Sequence, residues 1–156
     1  MNEKLADRGP TLRRRLGLSP LAVAALALLA VPRVIAHDLG LVDPGLNLVL
    51  VFAPPLVWLV VVLARRVPSP LTTLSAVGLG YGVLLAITHQ LLWGEAFGGD
   101  VPTLGGSLAG TLSPGWEEVV LRGFACVSSV VTGFLVGVVT GVVAWGLATV
   151  PALTRR

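Results

Sequence analysis

Lysine occurs once in this chain, at Lys4, and cysteine once, at Cys126. Histidine occurs twice, at His37 and His89, and charged residues make up only 12% of the sequence. The lone cysteine excludes an intramolecular disulfide and carries no information about redox compartment. It lies among apolar residues, where a thiol is expected to be inert. Without a lysine near its glycine-rich segment, the chain has no phosphate-cradling loop of the usual type. It also carries no nucleophile elbow, no zinc-ligand array and no lipidation signal. Soluble domains carry about 25% charged residues, so the scarcity of charge excludes an ordinary soluble globule.

What the chain has is apolar residues. Hydrophobic types make up 54% of its 156 residues, and its mean hydropathy is +0.88. A hydrocarbon core of about 30 Å needs about 20 apolar residues in a helix. Four such runs are present, at about 18–36, 46–64, 71–93 and 119–150. The expectation is an all-α, polytopic membrane protein: one domain over 1–156, with four transmembrane helices in an antiparallel bundle. A basic segment, 1–17, precedes the first span, and a glycine-rich loop, 94–117, separates the last two.

The sign of charge alternates between the gaps. Lys4, Arg8, Arg13, Arg14, Arg15, Arg65, Arg66, Arg155 and Arg156 share one side with only Glu3 and Asp7, a balance of +7. On the other side Arg33 and Arg122 face Asp38, Asp43, Glu95, Asp100, Glu117 and Glu118, a balance of −4. The Lys/Arg bias predicts both termini in the cytoplasm and a multi-pass protein of the cell membrane. Trp93 and Trp116 are expected at the outer interface and Trp145 near the inner one. Trp58 falls mid-span and needs a packing explanation, while Pro54 and Pro55 are expected to kink the second span. The net charge of +3 does not indicate nucleic acid, because the basic residues flank apolar spans and form no separate face. They read as orientation signals and contacts to anionic lipid. An arginine-rich start and Val34-Ile35-Ala36 before His37 also loosely fit a cleaved signal peptide. The first run is long enough to span, so a retained helix is expected, although Pro32 and Arg33 suit neither reading well.

Lipid offers helices no hydrophobic drive to associate, so small residues that admit close backbone approach matter. Gly133, Gly137 and Gly141 recur at spacing four, as do Gly78 and Gly82. At about 100° per residue, positions eleven apart return to one face. That places His89 over the Gly78 stripe and predicts an inward stripe of Glu118, Arg122, Ser129, Gly133, Gly137 and Gly141. Glu118 lies four residues before Arg122, within ion-pair reach. Ionisable groups inside a membrane point to function, but near span ends they also snorkel to water or fix helix register.

Imidazole is the commonest metal ligand and the usual haem axial ligand. His37 and His89, at similar depth, are therefore candidate haem ligands, or sharers of a metal with Asp38, Glu95 or Glu117, although no fixed ligand spacing is present. The outer loop, with Gly98, Gly99, Gly105, Gly106 and Gly110, reads as a connector or a re-entrant cover.

Glu117-Glu118-Val119-Val120-Leu121-Arg122-Gly123-Phe124 has the form EExxxRG. These eight residues resemble the first motif of the CAAX-protease and bacteriocin-processing family of intramembrane endopeptidases. The resemblance implies paired carboxylates that activate water and an arginine that orients a carboxylate. Those enzymes place histidines on later helices, and none follows Arg122 here, so the family is not assigned.

Two readings follow. The first is a small membrane protein acting as an accessory or structural subunit or a transport component, whose partners are the bilayer and a membrane protein or second copy packed on the glycine faces. The second is a membrane-embedded enzyme or cofactor protein. Its polar site would lie at the outer side, formed by His37, His89, Glu95, Glu117, Glu118 and Arg122. His89 or a glutamate would be base or ligand, and Arg122 would hold an anionic group.

Overall fold

The computed structural model describes residues 16–98, 100 and 102–150. Lys4, Arg8, Arg13, Arg14, Arg15, Arg155 and Arg156 lie outside them. About 77% of the described residues are helical, and none of them forms a strand. Helices α1 (Pro20–Leu28) and α2 (Val31–Asp38) together make the first apolar rod. Next come α3 (Pro44–Ala64), α4 (Pro70–Leu91), a single turn α5 (Trp93–Ala96) and α6 (Pro114–Ala148). Four rods are long and apolar enough to cross a membrane: Pro20–Asp38, α3, α4 and α6.

Each rod starts the same way. A proline at the first helical position follows Ser19, Asp43, Ser69 or Ser113. Proline suits that position because its missing N–H would have no intrahelical partner there. Asp43 caps most fully, its Oδ1 accepting from Gly45 N at 2.8 Å and Leu46 N at 2.9 Å. These starts differ from those the hydropathy suggested. In particular, α6 begins five residues before 119, so Glu117 lies in helix rather than loop.

The first rod is not one helix over 18–36. It breaks at Leu29 and Ala30 and ends at Asp38. Pro32 has no N–H for the carbonyl of Leu28, four residues earlier, so the ladder fails there. Trp58 of α3 packs beside the break, its indole N–H donating at 2.7 Å from a fully buried site to the Leu26 carbonyl, which also accepts from Leu29 N. That bond, with an edge-on contact to Tyr81 at 6.0 Å, is the packing reason for a mid-span tryptophan. Helix α3 continues through Pro54 and Pro55.

The most extensive contact joins α4 and α6. Leu71 lies against Gly141, Gly78 against Gly137 and Gly82 against Val130, so the two helices run in opposite directions. A Cβ added to Gly137 would stand 2.7 Å from Gly78 Cα, and one added to Gly82 would stand 2.8 Å from Val130 Cα. Both distances are impossible for packed carbon atoms, so only glycine permits this approach. The glycine faces are therefore filled by each other within one chain. A second copy cannot use them without separating α4 from α6.

At 1.5 Å per residue, the 35 residues of α6 span about 52 Å. The same pairings put Arg122 level with the end of α4, so the first two turns of α6 project beyond it. Glu118 stands on that projection and is exposed, which corrects its expected inward placement. It has the right helical direction but no helix opposite it. Around the helices, large apolar side chains lie open, among them Leu21, Phe124 and Val139 at 80%, 73% and 63%. Such a surface suits lipid and would be a liability in water.

Candidate functional site

One end of the helix assembly gathers the ends of α2 and α4, the turn α5 and the start of α6. Asp38 closes α2. Because the helix runs two residues past the expected end, its side chain is brought into the packing and is only 3% exposed. A buried carboxylate must be paired or hydrogen-bonded. Its Oδ2 lies 2.6 Å from His89 Nδ1, and its Oδ1 lies 3.4 Å from His37 Nδ1. The first is a short, charge-assisted bond and the second is long and weak. With Asp38 ionised, its carboxylate only accepts, and the proton in the short bond is then carried by His89 Nδ1. In the neutral imidazole, Nε2 is then left as an acceptor.

These residues open on a cavity of about 270 Å³, walled further by Trp93, Phe97, Ser128 and Ser129. Ser129 is buried and Ser128 exposed, with the Ser128 hydroxyl donating to Ala125 O at 3.3 Å. Trp93 is 6% exposed and its ring N–H is buried without a partner. Its ring is packed within the protein rather than presented to lipid, edge-on to Phe97 at 5.1 Å. The cavity thus combines an oriented imidazole, two serines and aromatic walls. Such a set accepts a small molecule carrying both a donor and an acceptor on an apolar body.

Arg122 forms a second cluster on the far side of Trp93. Its guanidinium carbon lies 4.8 Å from the indole centroid. Its Nε donates to Glu118 Oε1 at 2.8 Å and its Nη1 to Gln90 Oε1 at 3.1 Å. Gln90 returns a bond to the Arg122 carbonyl at 3.3 Å. The arginine is thus held by one carboxylate, one amide and one ring face. The Glu117 carboxylate accepts from the backbone N–H of Leu104, tying the long loop to α6. The two glutamates of the EExxxRG stretch therefore have separate partners and do not converge on a shared water.

The expected site residues accordingly divide. His37 and His89 meet at Asp38, whereas Glu118 and Arg122 form their own pair, Glu117 binds the loop, and Glu95 lies exposed on α5. Among the described residues, no three His, Cys, Asp or Glu side chains are grouped to hold a metal ion. His37 and His89 share one carboxylate through their Nδ1 atoms, a contact that leaves Nε2, the other ring nitrogen, outside it. Gln90 is the residue that sequence reasoning did not place in the site, and Asp38 entered it only as a possible metal ligand beside the two histidines. A carboxylate just beyond the last apolar residue of a span was a signal for Asp38. Nothing in the sequence singled out Gln90. No protein-family model matches the chain, and neither a curated protein nor a solved structure is significantly similar to it.

Proposed function

We propose that the chain is an integral membrane protein of four spans in an antiparallel bundle, with both termini cytoplasmic, serving as a ligand-binding subunit or component of a transport assembly. Its site is the cavity at the outer side. Arg65 and Arg66 after α3, against Asp43, Glu95, Asp100, Glu117 and Glu118 at the other end, support that orientation. The observation that carries the binding role is the buried Asp38 held between His37 and His89 on a cavity wall. Fixing helix ends alone needs no imidazole with a free nitrogen on a cavity. Paired ionisable groups facing a cavity in a membrane protein commonly mark a ligand or ion path.

A thermal-shift screen of small amino and hydroxy compounds against the reconstituted protein tests this. The expected result is stabilisation by a subset, lost in both Asp38→Ala and His89→Gln. A screen without hits, with both variants matching wild type in stability and in complementation of a deletion strain, leaves only a scaffold role.

A second reading, an enzyme with His89 as general base, is favoured by Ser129 on the same cavity wall. A carboxylate-oriented imidazole supplies the base and orienting group of a serine-nucleophile arrangement, and Ser129 lines the same cavity without a hydrogen bond to His89. A fluorophosphonate probe would then label wild type and spare Ser129→Ala. No labelling of wild type removes the reading.

A further inference from the structure

Arg33 lies on α2 five residues before Asp38, about 7–8 Å deeper along the helix. It is separate from the outer site. Its Nε is buried and has no hydrogen-bond partner, and no carboxylate among the described residues pairs with it. A guanidinium keeps its charge under all ordinary conditions and offers five N–H donors. Holding one unpaired within a bilayer is costly, so its surroundings show what it is there to meet.

Arg33 lines a cavity of about 220 Å³ together with Trp58, Tyr81, Thr132 and the Pro54–Pro55 pair. The two prolines have no N–H to return to the carbonyls of Leu50 and Val51, four residues back. Both of those residues wall the same cavity. It is therefore a mainly apolar chamber whose wall carries one fixed positive charge, with the Tyr81 and Thr132 hydroxyls and the freed carbonyls as its other polar groups. Val51, Pro55 and Val136 also belong to a second cavity of about 420 Å³, an apolar groove between α3 and α6 that reaches Leu59 and Val143. From Val51 to Leu59 the groove runs about 12 Å along α3.

A cationic chamber continuous with a hydrocarbon groove matches one kind of molecule. We propose that this paired cavity binds an anionic amphiphile, its carboxylate or phosphate monoester head on Arg33 and its alkyl chain in the α3–α6 groove. Charge complementarity selects the head and shape selects the chain. This inference rests on the four-span reading and is independent of the outer site.

Native mass spectrometry of the protein released from neutral detergent tests it, with oleate, oleyl phosphate, oleyl alcohol and inorganic phosphate as probes. The expected result is one bound oleate or oleyl phosphate per chain, at least about tenfold tighter than oleyl alcohol, an effect within the range of one charge-assisted hydrogen bond. Arg33→Gln removes that preference, Arg33→Lys keeps most of it, and Val136→Trp weakens all three chain-bearing probes by filling the groove. Asp38→Ala leaves the preference unchanged. Equal binding of oleate and oleyl alcohol by wild type overturns the proposal, as does a preference that survives in R33Q. Displacement of oleate by inorganic phosphate, with V136W without effect, assigns a bare-anion site and overturns the lipid. Loss of the preference in D38A moves the anion to the outer site and also overturns it. If R33Q does not fold, the head-group preference of wild type and R33K decides.

Discussion

His89 and Asp38, 51 residues apart in sequence, meet through a 2.6 Å bond between Nδ1 and Oδ2. The bond crosses from the last turn of α4 to the end of α2. It fixes which imidazole nitrogen carries the proton and which is left for a ligand. It also satisfies a carboxylate that the packing has taken out of water.

The pair should be energetically coupled. A double-mutant cycle of Asp38→Ala and His89→Ala, followed by reversible unfolding in mixed micelles, is expected to give a coupling of about 1 kcal/mol. Polar pairs in membrane proteins average about 0.6 and reach about 1.7 kcal/mol. Additive single effects would mean that the bond does not form in the membrane.

The glycine contact predicts a contrast along one helix. Gly137→Val brings side-chain carbons against the backbone of Gly78 and is expected to cost about 3 kcal/mol or more, or to prevent folding. Gly123→Ala, on the same helix with open space around the added carbon, is expected to be neutral or to stabilise by up to about 1 kcal/mol through helix propensity. Chemical denaturation of both variants checks the difference.

Trp58→Phe keeps most of the ring packing and removes the indole donor to Leu26 O. The expected cost is about 1–2 kcal/mol. Hydrogen exchange should rise at the break around Leu29 and Ala30 more than in α4. A uniform rise would instead indicate loss of packing.

Glu117→Ala frees the Leu104 segment. Limited proteolysis is expected to cut the loop between α5 and α6 several-fold faster, with the unfolding midpoint shifted little. An unchanged cutting rate would show that the Glu117 carboxylate does not tether the loop.

Much of this was legible in the sequence, for identifiable reasons. Four spans are visible because hydropathy integrates over many residues, and the α4–α6 contact because spacing-four glycines have few other uses. Helix starts were misplaced because hydropathy is blind to capping. The Ser-Pro and Asp-Pro dipeptides at Ser19, Asp43, Ser69 and Ser113 carried that information. Glu118 was assigned inward because helical periodicity gives direction but not whether a neighbour reaches that far. The Asp38 contact was not legible. It depends on how the break at Pro32 aims α2, and that aim is set by Trp58 on another helix.

The tautomer of His89 in lipid nanodiscs, read from ¹⁵N chemical shifts of histidine-labelled protein, tests the central claim most directly. With Asp38 accepting from the ring, neutral His89 is predicted to carry its proton on Nδ1 with Nε2 bare, and to lose that preference in Asp38→Ala. A proton on Nε2 in wild type, or identical His89 signals in both proteins, would contradict the account.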